Sequence, residues 1–194
     1  MTVPETKKVL EICQSAANGD DDARRKLMEL LFDRIHRTAS YLADNLEEAE
    51  DLAQAACMEV LAYIGTFRGE SSLNYWADRV TMFTASKVLS KKARRQRILD
   101  NTYQPPGQAQ AVDELAEQTE IRSRLARLLR KLKYSHREVL LLRYVDGYTI
   151  TEAASLCGIP VETARGRVKK GRAILKRKVM TDPLLKEWIE EWVQ

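Results

Sequence analysis

A chain of 194 residues with 32 Lys and Arg against 28 Asp and Glu has a formal charge of +4 and is long enough for one medium domain or two small ones. With 44% hydrophobic and 31% charged residues it has the composition of a folded soluble protein rather than a disordered one. Its unbroken apolar runs, such as Val139-Leu140-Leu141-Leu142, fall far short of the roughly 20 residues that a membrane helix needs. The start, Met1 to Lys8, has neither the apolar core nor the cleavage site of a secretion signal, so a cytoplasmic chain without membrane insertion is expected.

Apolar spacing is helical almost throughout, and the expected fold class is all-α. Val9, Ile12, Cys13 and Ala16 predict a first short helix. Leu27, Leu30, Leu31, Ile35, Ala39 and Leu42 predict a longer second one. A third follows from Ala49, Leu52, Ala53, Ala56, Val60 and Ile64. The fourth follows from Leu73, Trp76, Ala77, Val80, Thr84 and Val88, and it starts after Ser71 and Ser72, both good N-caps. The stretch Asn101 to Val112 contains Pro105-Pro106-Gly107, which cannot continue a helix, in polar surroundings that read as a flexible linker. We therefore expect two small helical domains: 1–99, a linker over 100–117, a second domain over 118–180, and an amphipathic C-terminal helix over 181–194.

In the second domain, Ile121, Leu125, Leu128, Leu129 and Leu132 mark a helix. Ser135-x-x-Glu138 has the spacing of a capping box for the next one, which holds Val139, Leu142 and Val145 and ends at Gly147. Thr149-x-x-Glu152 predicts a second capping box, opening a short helix that Gly158 stops. Pro160 then begins a basic helix with Val161, Ala164, Val168 and Leu175 on its inner side. A short capped helix, a tight turn and a basic second helix form a helix-turn-helix. The outer face of the second helix, with Thr163, Arg165, Gly166, Arg167, Lys169 and Lys170, is nearly all donor, as entry into the major groove requires. In the tail, Asp182-Pro183 is a helix start, and Leu184, Leu185, Trp188, Ile189, Trp192 and Val193 share one face. That face either packs on the chain's own domains or docks a partner.

Charge is placed unevenly. Arg79 to Leu99, Ile121 to Arg137 and Thr163 to Thr181 are free of acid and rich in base, whereas acid gathers at Asp20 to Asp22 and Glu47 to Asp51. The basic runs point to a polyanion, and the acidic ones to a face that meets something else. Cys13, Cys57 and Cys157 are odd in number and far apart, so they read as small buried hydrophobes rather than a disulfide framework. His36 and His136 stand 100 positions apart and no Cys/His cluster has zinc spacing, so neither a metal nor a cofactor is expected.

Two sets of residues, in order, carry a family resemblance. Gly19-Asp20 with Leu30-Leu31-Phe32, then Glu50-Asp51-Leu52-Ala53-Gln54, then Phe67-Arg68-Gly69-Glu70-Ser71-Ser72-Leu73-x-x-Trp76 and a basic helix, resemble region 2 of bacterial extracytoplasmic-function (ECF) sigma factors. Leu140 to Tyr144, Gly147-Tyr148-Thr149, Glu152-Ala153-Ala154 and Gly158-Ile159-Pro160-x-x-Thr163-Ala164-x-x-Arg167 resemble region 4. The resemblance implies a protein that binds core RNA polymerase, directs it to promoters and assists DNA opening, with no catalytic site. It implies contact with the clamp and flap of the large polymerase subunits, and admits an anti-sigma partner. It places Glu50, Asp51 and Gln54 against the polymerase, where the plain reading is a solvated acidic face.

The loop Phe67, Arg68, Gly69, Glu70, Ser71 and Ser72 precedes a helix N-terminus, whose N–H groups and hydroxyls suit an extruded base or a phosphate. The plain reading of the loop is an ordinary capped turn with Phe67 in the core, and Trp76, at helical spacing with Leu73 and Val80, is expected to pack in the core. Arg79, Lys87, Lys91 and Lys92 follow on the helix and would track the opened strand. Thr163, Arg165, Gly166, Arg167, Lys169 and Lys170 would read the upstream promoter element. The chain departs from the family pattern where Phe83 and Lys87 stand for an Asn and an Asp, where Thr81-Met82 stand for Arg-rich positions, and at Lys133, Pro160 and Gly166. The alternatives are a stand-alone helix-turn-helix regulator, which would need a ligand pocket or dimer seam that residues 1–100 do not suggest, and a helical enzyme. For the latter there is no nucleophile–base pair and no Gly-rich phosphate loop.

Overall fold

The computed structural model of the chain describes the backbone of residues 3–99 and 124–186, and the side chains of 7–89 and 124–186. Among these residues every regular element is helical. The chain divides into two compact units, Met1–Pro105 and Pro106–Gln194. The expected linker 100–117 lies outside the described residues.

The first unit holds α1 (Val3–Ala17), α2 (Asp21–Leu42), α3 (Leu46–Tyr63), a 3-10 turn (Ile64–Thr66) and α4 (Leu73–Leu99). Each start has a local cause. Gly19 turns the chain at φ +94°, and Asp20 then caps α2 by accepting from the Ala23 amide at 2.8 Å. Asn45 caps α3 by accepting from the Glu48 amide at 2.8 Å, while the Glu48 carboxylate reaches back to the Asp44 amide at 2.6 Å. Ser72 caps α4 through the Tyr75 amide at 3.1 Å; the Ser71 hydroxyl donates instead to the Ser72 carbonyl.

The core of this unit gathers Cys13 and Ala16 from α1, Leu27, Leu31 and Ile35 from α2, Ala56 and Val60 from α3, Ile64, Phe67, and Leu73 and Ala77 from α4. Leu27 and Leu31 are fully buried, each contributing about 1.5–3 kcal/mol relative to exposure. Leu30, expected on the same stripe, points outward and is half exposed, because the inner face of α2 runs through 27, 31 and 35. Arg34 and the buried Asp78 form a two-pronged ion pair (Nε–Oδ1 2.7 Å, Nη2–Oδ2 2.5 Å) that ties α2 to α4.

The second unit holds α5, described over 124–130, α6 (Tyr134–Tyr144), α7 (Ile150–Cys157) and α8 (Val161–Val179). The buried Arg137 donates to the Arg130 and Leu132 carbonyls at 3.1 and 3.2 Å, satisfying the free end of α5. The capping box at Thr149 and Glu152 forms with both of its hydrogen bonds, and Gly158 ends α7 in the left-handed conformation at φ +64°. The box expected at Ser135 and Glu138 does not form. The α6 N-cap is Lys133, without a side-chain cap, and Glu138 is drawn across to α8. Val145, expected inside α6, is its exposed C-cap.

Val139, Ala154 and Ala164 make the helix-turn-helix core, with Ile150, Ile159, Val161 and Val168 packed on it. Gly171 is buried where α8 crosses α6: a Cβ there would meet Leu140 Cδ1 at 2.9 Å. After α8, residues 183–186 begin another helical turn. Leu185 is buried there against Leu128 and Val179, and Asp182 pairs with Arg124 at 3.3 Å. The start of the tail thus packs on its own unit. Trp188, Ile189, Trp192 and Val193 lie outside the described residues.

Candidate functional site

Three surfaces gather the residues singled out in the sequence. The first is on α3. Glu50, Asp51 and Gln54 are all exposed on successive turns, and Met58, a turn further on, is 65% exposed. The opposite side of α3, through Leu52, Ala53, Ala56 and Val60, is buried. The acidic face is therefore free of the core.

The second surface is the loop into α4. Phe67 is buried, and its ring lies 5.8 Å from that of Trp76, tilted by 57°. Both aromatics therefore have the expected packing role, and they form the floor of the loop. Arg68, Glu70, Ser71 and Ser72 are exposed above it. Gly69 sits at φ +75° with a Cβ position only 3.1 Å from Leu10, so both its conformation and its closeness to α1 call for glycine. Along α4, Thr81, Met82, Thr84 and Ala85 are buried. The Thr81 and Thr84 hydroxyls donate to the Ala77 and Val80 carbonyls at 2.9 Å. The departure at Thr81-Met82 thus falls on the inner side of the helix. Arg79, Phe83 and Lys87 stand outward, with the Lys87 ammonium 5.1 Å from the Phe83 ring centre. Lys91 and Lys92 continue the helix, their side chains lying outside the described residues.

The third surface is α8 with its support. Thr163, Arg165, Gly166, Lys169 and Lys170 are exposed; Arg165 pairs with the exposed Glu162 one turn before it, at 2.6 Å. Arg167 differs. It is partly buried and donates to the buried Glu138 at 2.6 Å, so one of its donors is already engaged. Burial pushes Glu138 up to about 7 against the pull of Arg167. Burial, then the charge of Glu138, also raises the Tyr134 phenol, and Cys157 is pushed up to about 12 by burial. Cys13 rises to about 11 for the same reason and Cys57 rises too. The thiols are therefore poor nucleophiles, in keeping with packing. His136 is held below its ordinary value by burial and by Lys133, Lys170 and Arg167.

A groove of about 490 Å³ beside this face is lined by Arg143, Ile150, Arg165, Val168, Lys169, Arg172, Ala173 and Lys176. The exposed Tyr144 has two guanidinium groups over its ring, those of Arg143 and Arg172, at 6.0 and 5.8 Å from its centre. Arg143 and Tyr144 were not among the expected site residues. Their signal is positional: they end α6, and only packing brings them to α8. Among the described residues no group of His, Cys, Asp and Glu could hold a metal ion, and no helix is long and apolar enough to cross a membrane.

A profile of the family described as ECF sigma factor matches residues 6–181, which takes in both units and both motif sets. The chain belongs to the ECF sigma factor family. Its relatives include the ECF sigma factor SigW of Bacillus subtilis, 24% identical over 83% of this chain and 91% of that one. The ECF sigma factor SigC of Mycobacterium tuberculosis is 26% identical over 94% and 97%. The ECF sigma-E factor of Escherichia coli K12 is 26% identical over 84% and 90%. The fold is similar to that of the sigma factor RpoE of Bartonella quintana, solved in complex with the anti-sigma factor NepR. That likeness has a TM-score of 0.67 and 21% identity, covering 81% of this chain and 97% of that one. It is also similar to CnrH, solved with the cytosolic domain of CnrY, at a TM-score of 0.60 and 17% identity.

This sigma factor binds core RNA polymerase, directs it to promoters and assists DNA opening for transcription initiation, as its family does. The family is one of initiation factors rather than a class of enzymes. The match across both units sets aside the reading as a stand-alone helix-turn-helix regulator.

Proposed function

We propose that this sigma factor divides its work among the three surfaces. Glu50, Asp51 and Gln54 meet the clamp of core polymerase. The loop Phe67 to Ser72 and the outward side of α4, with Arg79, Lys87, Lys91 and Lys92, take up the opened downstream element. Thr163, Arg165, Gly166, Lys169 and Lys170 read the upstream element in the major groove. Arg167 serves that helix chiefly from behind, through Glu138.

The observation that carries this reading is the sorting of charge. Exposed acid gathers on α3, whereas α4 and α8 each carry an acid-free stretch whose described basic side chains are mostly exposed. DNA phosphates repel the first and attract the other two, so polymerase and promoter are held by different faces. The loop supplies backbone N–H groups at the start of α4, next to serine hydroxyls, which suits an extruded base. The second unit also suits contact with the polymerase flap. The protein acts in the cytoplasm and carries no catalysis of its own. The similar sigma factor RpoE of Bartonella quintana, solved with an anti-sigma factor, supports a regulator of that kind here too.

The test is the double variant Asp51→Lys with Gln54→Ala. Both side chains are exposed, so the fold should be kept. Association with core polymerase, read by gel filtration and titration, should weaken by about tenfold or more, as expected when a charge is reversed at an interface. Unchanged association would remove this face of α3 from the polymerase contact.

A further inference from the structure

The outward side of α4 repeats Arg79, Phe83 and Lys87 at intervals of four residues, which puts them on one stripe about 6 Å apart along the axis. Phe83 is 59% exposed, the most open of the three phenylalanines. The Lys87 ammonium sits 5.1 Å from its ring centre. A single exposed apolar side chain is ordinary on a protein surface. This one is not in ordinary surroundings. It is a flat ring set between two exposed cations, in a 21-residue stretch without acid, on the helix that follows the loop at Ser71 and Ser72. Its helix is held in register from behind by the Arg34–Asp78 pair, so the stripe is rigidly presented.

An aromatic face flanked by cations along one track is the arrangement that binds single-stranded nucleic acid: the ring stacks on a base and the cations meet the phosphates on either side. Duplex DNA takes such a ring only by unstacking and kinking a base step, because its base faces are already stacked. A protein partner would gain from the ring but would have to supply an acid against both Arg79 and Lys87, whereas a nucleic-acid strand brings a base face and a phosphate on either side of it at once. We infer that Phe83 is a base-stacking residue for one unpaired nucleotide of the opened promoter strand, with Lys87 and Arg79 neutralising the flanking phosphates. The inference rests on the reading that α4 meets opened DNA, and it adds a residue which that reading leaves out. Where the family pattern has amide and carboxylate side chains suited to hydrogen bonding with a base edge, this chain carries a ring and a cation. Selection here then follows stacking strength more than edge pattern.

The experiment uses holoenzyme reconstituted from the full chain and core polymerase, on a promoter that the wild-type holoenzyme transcribes. The probe is that promoter as a fork: duplex upstream, with only the non-template strand present downstream. 2-Aminopurine is placed at each downstream position in turn. Phe83→Ala should bind the fork about tenfold weaker or more, while binding core polymerase and the fully duplex promoter as wild type does. Wild type and Phe83→Trp should both quench 2-aminopurine at one position, and Phe83→Ala should not. Lys87→Ala should lower the salt dependence of fork binding by about 0.7 in log–log slope. Equal fork affinity and equal quenching for wild type and Phe83→Ala would overturn the inference. So would a loss of fork binding fully matched by loss of core polymerase, which would make the ring a protein contact. If the wild-type holoenzyme transcribes no promoter at all, no fork can be built and the proposed function falls together with the inference, whereas a transcribed promoter whose fork is indifferent to Phe83→Ala overturns the inference alone.

Discussion

Glu138 fastens α6 to Arg167 of α8, the helix proposed to read the upstream element. It is buried between Tyr134 and Arg167, 29 positions away, and a carboxylate there is costly unless the guanidinium compensates it. Its value of about 7 lies above the ordinary 4.5, so between these two limits the folded protein holds a proton that the unfolded chain has released. The stabilising contribution is complete below pH 4.5 and is lost as pH rises through 7. His136 is shifted down and so acts in the opposite sense; its causes, burial with Lys133, Lys170 and Arg167, remain when Glu138 is changed to Gln. The difference between wild type and Glu138→Gln therefore isolates the carboxyl group. Wild type should lose of order 2–3 kcal/mol relative to the variant as pH rises from 4.5 to 7. Hydrogen exchange of the Leu140, Leu141 and Leu142 amides reads this locally, and a pH-independent difference would contradict the assignment. None of this was legible in the sequence. Ser135-x-x-Glu138 has the spacing of a capping box, and the contact that overrides it joins residues far apart in the chain.

At the scale of elements, the same four-residue pattern gave two outcomes. Thr149 follows a turn and has extended backbone at ψ 161°, so its hydroxyl meets the Glu152 amide and the box closes. Ser135 lies one residue inside a helix already begun at Tyr134, where its hydroxyl has no such amide to cap. Helix positions were readable because α2, α3 and α4 show their buried stripes at helical spacing, and Asp20, Ser72 and Gly158 mark ends by local chemistry. Side-chain destinations were less so. Leu30 and Val145 fit the apolar period but face water, and Phe83 shows its exposure only once α4 has an inner side.

Two glycines of α8 test how closely that helix is fitted. Gly166 is exposed with nothing near its Cβ position, so Gly166→Ala should stabilise the second unit by about 0.5–1 kcal/mol through helix propensity. Gly171 would drive a Cβ to 2.9 Å from the buried Leu140 and 3.3 Å from His136 Cβ. Gly171→Ala should therefore destabilise despite the same propensity gain, by about 1–2 kcal/mol net. Urea unfolding of both variants checks the contrast, and stabilisation by both would show that α6 and α8 are not closely packed there.

For the whole molecule, division into two helical units was legible from Pro105-Pro106-Gly107 and from the change of motif set on either side of it. The tail was legible as amphipathic but not as to where its apolar face goes. Leu185 answers for the tail's first turn: it is buried with Leu128 and Val179 while Asp182 holds Arg124. Leu185→Ala should cost the second unit about 2–5 kcal/mol by chemical denaturation, and a cost below 0.5 kcal/mol would mean that the turn is not part of the core.

The proposed division of labour among the three faces presupposes that the chain, together with core polymerase, selects promoters. In vitro transcription with purified core polymerase on a promoter library tests it most directly. The account predicts transcripts that require both the chain and core, start at defined sites, and share two sequence elements, one upstream and one at the opened segment. Transcription from the library that is the same with and without the chain, or promoter binding by the chain that never redirects core polymerase, would contradict it.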